Sequence, residues 1–207
     1  MESPYWQTEG QGHHLDLSGL KLICFELLNL IEASRAVVQR FDDMEAEEER
    51  RFDTKTQPLI ALHIELSDVQ LRKHLLQLAL FVRTYDDLMR DSEYAKAYNE
   101  RTLKFDGDDA LGWISEGRLG LREACNKIIH AQEIRPAYDR LDRTVIEGQD
   151  DNEETLIFLT GEVELKGMHN GKDWKGAIHL TPFIETVLER ISFRGVINND
   201  EAISKPA

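Results

Sequence analysis

The sequence predicts a mostly α protein of the α+β class, a helical bundle followed by a small antiparallel β-hairpin and a terminal helix. Three observations carry this expectation. Two long stretches, 17–42 and 57–91, repeat apolar residues at helical spacing. Near Thr155 the period changes to two, the signature of a strand with one buried face. Asn170-Gly171 then supplies the residue pair that a two-residue hairpin turn demands.

The first helix is defined by Leu20, Cys24, Leu27, Ile31, Ser34, Val38 and Phe41, which step by four and three, with Ile23, Leu30 and Val37 beside them. It runs into Asp42, Asp43, Glu45, Glu47, Glu48 and Glu49. Acids at a helix C-terminus oppose the macrodipole, so this run reads as a solvated face or the start of a turn. Pro58 suits the first turn of the second helix. One of its faces carries Leu59, Leu62, Leu66, Val69, Lys73, Leu76 and Leu80, and a neighbouring stripe carries Leu75, Leu78, Val82, Tyr85 and Met89. Helices of this length form an antiparallel pair.

A shorter helix is expected at 93–103, stopped at Phe105-Asp106-Gly107. A loose connection with Gly112, Gly117 and Gly120 leads to helical spacing from Leu119 to Ala131, which Pro136 prevents from continuing. In the hairpin, Ile157, Leu159, Val163 and Leu165 share a face. A turn at Asn170-Gly171 pairs Val163 with Ile178, Gly161 with Leu180, Gly167 with Trp174 and, less favourably, Lys166 with Lys175. Thr181-Pro182 reads as the N-cap and first residue of a helix ending near Phe193. The expected organisation is an N-terminal arm (1–14), the bundle (15–140), the hairpin and C-terminal helix packed on it (141–195) and a mobile tail (196–207).

Composition narrows the function. The chain has 207 residues, 39 acidic and 25 basic, for a formal charge of −14. That balance disfavours RNA or any other phosphate backbone, which clustered Lys and Arg would attract. No apolar run reaches the roughly 18–20 residues of a bilayer span, so no membrane role is expected, and the chain reads as cytoplasmic. Cys24 and Cys125 make neither a disulfide framework nor a zinc site; both lie on apolar stripes and read as reduced structural thiols. His13 and His14 point apart on a helix and have no further ligand nearby except Asp16, so no metal is expected, and no cofactor fingerprint is present. Asp86-Asp87 reads as solvated charge.

The segment with chemical interest is Leu121 to Ala131. On a helix, Leu121, Ala124, Cys125, Ile128 and Ile129 form an apolar side, while Arg122, Asn126 and His130 step by four into a polar row. Guanidinium, amide and imidazole together could bind an anion and move a proton. Polar rows are common on amphipathic helices, so spacing alone favours the plainer reading, in which these groups hydrogen-bond a neighbouring loop or a partner helix.

Cys125-Asn126-Lys127-Ile128-Ile129-His130 resembles the signature of HEPN domains, in which an Arg is commonly followed by Asn and, four to six residues after the Arg, by His. The likeness extends loosely over 15–135. It implies a compact helical bundle, often dimeric, whose active members cut RNA without metal using Arg and His from two subunits in a shared cleft. Here the chain departs from the pattern: Cys125 stands at the Arg position, and a thiol cannot replace a guanidinium on phosphate. Arg122, one turn upstream, lies outside the usual spacing.

Two functions therefore compete. The favoured one is a non-catalytic HEPN-like interaction or ligand-binding module, self-associating as a homodimer and able to hold a protein partner or small ligand. The alternative is a metal-independent endoribonuclease or RNA-binding protein of defence or stress response, with Arg122, Asn126 and His130 as its catalytic row. A third role, Trp174 as a binding anchor, competes with a ring that covers Gly167 and packs on the final helix.

Overall fold

The structure is a computed structural model that describes residues 15–102, 111–115, 119–148 and 155–203. The arm with Tyr5, Trp6, His13 and His14 and the proposed stop at Phe105-Asp106-Gly107 lie outside the described residues. Helices α1 (Leu17–Glu47), α2 (Pro58–Arg90), α3 (Ala95–Thr102), α4 (Leu121–His130) and α5 (Leu180–Ile203) accompany strands β1 (Gly112–Ile114), β2 (Glu133–Arg140), β3 (Ile157–His169) and β4 (Lys172–His179). The strands form one antiparallel sheet in the order β1-β4-β3-β2. The α+β class, mostly helical with a C-terminal helix, is as the sequence predicts.

Asp16 caps α1 by accepting a bond from the Gly19 amide at 2.9 Å. Ser34 meets His63, and Glu26 meets His74, so α1 and α2 run antiparallel. Leu20, Cys24, Leu27 and Ile31 of α1 share one core with Leu71, Leu75, Leu78 and Val82 of α2. Val163, Ile178, Phe183 and Val187 of the sheet and α5 complete it. The helices and the sheet thus cannot be separated into independent cores.

The hairpin has the expected register, with Val163 opposite Ile178, Gly167 opposite Trp174 and Lys166 opposite Lys175. Asn170 and Gly171 both take positive φ, 50° and 76°, as this turn requires. Glu133 lies 3.4 Å from the Lys166 ammonium and offsets the like-charge pair. Gly161 does not pair with Leu180: the ladder ends at Glu162 and His179, because α5 starts at Leu180. The helix also begins earlier than the Thr181 cap implies and continues past 193 to Ile203, through the first part of the expected tail.

Two strands come from residues the sequence reading gave to the bundle. β1 was expected as loose connection; Gly112, with φ 131°, passes so near the Ala177 carbonyl that a Cβ there would lie 2.0 Å from its oxygen. β2 contains Pro136, which an edge strand tolerates because its missing N–H need not join a ladder. Here the sheet bulges: Pro136 pairs with Val163 and Tyr138 with Leu159, and Gly161 on the longer side takes φ 82°.

The acidic end of α1 is solvated at Asp43, Glu47, Glu48 and Glu49 and opens a turn after Glu47, as the sequence predicts, but two of its acids depart from that reading. α1 continues to Glu47, and Asp42 and Glu45 are buried. Asp42 accepts from the Thr144 amide at 2.9 Å and its hydroxyl at 2.7 Å. Glu45 accepts from the Phe52 amide at 2.7 Å, from Arg51 at 3.1 Å and from Arg143. The two carboxylates tie α1 to the connection after β2. Removing one partner of a buried ion pair leaves the other charge uncompensated. Glu45→Ala is therefore expected to cost about 3–5 kcal/mol, read as a fall in the urea midpoint.

Of the two stripes of α2, the one with fewer leucines enters the core. The stripe of Leu75, Leu78, Val82, Tyr85 and Met89 is buried, whereas Leu59, Leu62, Leu66, Val69, Leu76 and Leu80 are 39–70% exposed. The outward stripe contains Lys73, whose ammonium could not enter the core without a counter-charge.

His63 completes the α1–α2 contact. Its Nε2 lies 3.0 Å from the Ser34 hydroxyl, its Nδ1 lies 3.1 Å from Ser67, and the Ser34 oxygen accepts from the Leu159 amide at 2.8 Å. A neutral ring protonated on Nδ1 satisfies all three: Ser34 donates to Nε2, and Nδ1 donates to Ser67. Burial holds the His63 pKa below the usual imidazole value. Because the unfolded chain then takes up the proton more readily, this contribution is complete above about pH 6.5 and declines as pH falls toward the folded pKa. His63→Gln should flatten that part of the pH–stability curve in thermal melts.

Candidate functional site

Helix α4 is ten residues long and sharply two-sided. Leu121, Ala124, Cys125 and Ile128 are buried and Ile129 is half-buried, as the apolar side of the wheel requires. Glu123 occupies the first turn and Lys127 and His130 the last, the order the macrodipole favours. The polar row is real as a helical face, but its members do not act on one space.

Arg122 turns toward α2. Its guanidinium donates to Asp87 at 2.7 Å and approaches Asp86 at 3.6 Å. The hydrogen bond from Arg122 holds the Asp87 carboxyl below its usual pKa. Asp86 is not solvated charge: it is buried, with the Tyr98 hydroxyl donating to it and Arg190 of α5 donating at 3.1 Å. Burial and the adjacent Asp86 carboxylate raise the Tyr98 pKa. Asp87, at the next position, stays exposed and keeps the expected character.

Asn126 and His130 instead border an open cleft of about 610 Å³ with Glu123, Lys127, Met168, His169 and Trp174. The β3–β4 turn supplies the far wall. Lys127 sits 3.4 Å from Glu123 and 4.5 Å from the centre of the Trp174 ring, a cation–π contact. Trp174 itself is almost buried and lies over Gly167, where a Cβ would come within 2.5 Å of the ring. It covers that glycine as expected, with the Lys127 ammonium of α4 over its ring. The cleft thus offers one carboxylate, one amide, two imidazoles and one ammonium, groups able to hydrogen-bond a ligand.

His169, Met168 and Lys127 were not singled out from the sequence. The turn register carried the signal for the first two, since it fixes which residues stand at the hairpin tip. Asp86 was misjudged because its partners are 12 to 104 residues away in sequence. Among the described residues, no group of three or more His, Cys, Asp or Glu is placed to hold a metal ion, and no helix is long and apolar enough to cross a membrane.

No family model, curated protein or solved structure matches this chain. Its chemistry rests on its own geometry.

Cys24 and Cys125 are both free and buried. Burial raises the Cys24 pKa to about 11, and burial, aided by the Asp86 carboxylate, raises that of Cys125 further. The native protein should therefore label with a thiol reagent far more slowly than the urea-unfolded chain, at pH 8, at both positions. Fast native labelling of Cys125 would contradict its place in the core.

Proposed function

We propose that the chain is a non-catalytic HEPN-like interaction or ligand-binding module, dimeric and cytoplasmic, whose ligand cleft lies between α4 and the β3–β4 turn. One observation carries the reading. Arg122, the guanidinium within the polar row, is spent on Asp86 and Asp87, while the motif Arg position holds the buried Cys125. Asn126 and His130 are left facing the cleft without a guanidinium among its lining residues. A small polar ligand or a protein segment suits that cleft, where His130 and His169 are exposed and Asn126 is half-buried.

Metal-independent RNA cleavage needs a base for the 2′-hydroxyl and a cation for charge developing on the phosphate. His130 could serve as the base. Loss of one such stabilising donor costs on the order of 100–1000-fold in rate, and the −14 charge weakens RNA capture at physiological salt. The purified protein is expected to leave RNA uncut in EDTA, read by gel electrophoresis of a labelled oligonucleotide. Robust cleavage that Arg122→Ala and His130→Ala both abolish, with both variants folded, would replace this reading with the endoribonuclease one.

A further inference from the structure

The outward face of α2 follows a period of 3.5 rather than 3.6. Leu59, Leu66, Lys73 and Leu80 occupy a positions and Leu62, Val69 and Leu76 occupy d positions, three heptads interrupted at one a position by the exposed Lys73, on a helix whose opposite face is already buried in the core. An a/d seam is the pattern that one helix presents to a second helix. From Leu59 to Leu80 it runs about 32 Å along the axis. Glu65 and Arg72 flank it on the same side, at successive g positions, and both are exposed.

We propose that a second copy of this chain covers the seam. α2 packs antiparallel on the partner's α2 about a twofold axis passing between positions 67 and 68. Charge selects this arrangement. In it Leu66 meets the partner's Val69, Leu59 meets the partner's Leu76, and Glu65 faces the partner's Arg72, twice by symmetry. The exposed stem of Lys73 lies over the partner's Leu62 while its ammonium stays in water. A slip of one heptad in one direction sets Arg72 against the partner's Arg72 and brings both Lys73 ammoniums to the axis. A slip in the other direction sets Glu65 against the partner's Glu65. A parallel pair stacks Lys73 on Lys73 in an a layer and leaves both flanking charges opposite glutamines. Like charges held face to face disfavour all three. Within one chain the Arg72 guanidinium is 2.5 Å from Asp68, a c position on the side away from the seam, so the contact with the partner's Glu65 is shared with or exchanged for that pair.

This inference rests on the dimeric part of the proposed function and names its surface. Analytical ultracentrifugation of the full chain at tens of micromolar should give a species of twice the 23.9 kDa chain mass. Glu65→Arg and Arg72→Glu should each weaken the dimer by about tenfold or more, and the double exchange should restore it. Leu66→Glu with Val69→Glu should give monomer with unchanged circular dichroism. If that pair unfolds, the exposed charge reversals alone decide. A wild-type monomer would overturn both the seam and the dimeric reading, leaving the α4 cleft untouched. A dimer indifferent to these variants would overturn the seam alone. A dimer that the charge exchange fails to restore would overturn the register.

Discussion

Four helices converge on one carboxylate. Asp86 of α2 receives Tyr98 of α3 and Arg190 of α5, and Arg122 of α4 stands beside it. A buried ion is costly unless charge and hydrogen bonds surround it, so the helices supplying those groups cannot move independently of α2. Tyr98 adds edge-on contacts with Tyr85 and Phe193, which extend the same constraint into apolar packing. The candidate cleft depends on this arrangement at second hand. Arg122 sets how α4 lies on α2, and α4 carries Asn126 and His130.

How much of this could be read from the sequence follows from how local each signal is. The long helices, the hairpin and its register rest on neighbours a few residues apart, and their patterns are written openly. β1 is three residues long and β2 contains a proline, so neither has the period that announces a strand. The choice between the two stripes of α2 was harder. Both are apolar, and the stripe with more leucines faces outward; the decisive residue is Lys73. Burial of Asp42, Glu45 and Asp86 was not read, because acidic character predicts solvation and the partners that close over them, Arg143, Thr144 and Arg190, lie about 100 residues along the chain.

The candidate site was half legible. Helical spacing correctly grouped Arg122, Asn126 and His130 on one polar flank of α4. It could not show that a side chain as long as arginine reaches sideways to α2 while its neighbours face the hairpin tip. Periodicity places Cα atoms on a face; the counter-charge decides where the guanidinium goes.

The clasp at the end of α1 sets a clock on synthesis. Glu45 and Arg143 are 98 residues apart. At roughly 5–20 residues per second, a ribosome needs about 5–20 s to deliver the second after the first. Throughout that interval Asp42 and Glu45 have Arg51 within reach but lack Arg143 and the Thr144 amide and hydroxyl that complete their cover. The C-terminal turns of α1 therefore settle late, after α2 is complete and as the sheet is being made. The N-terminal half emerges with an acidic end still hydrated, and closure of the connection after β2 is what draws that end into the protein.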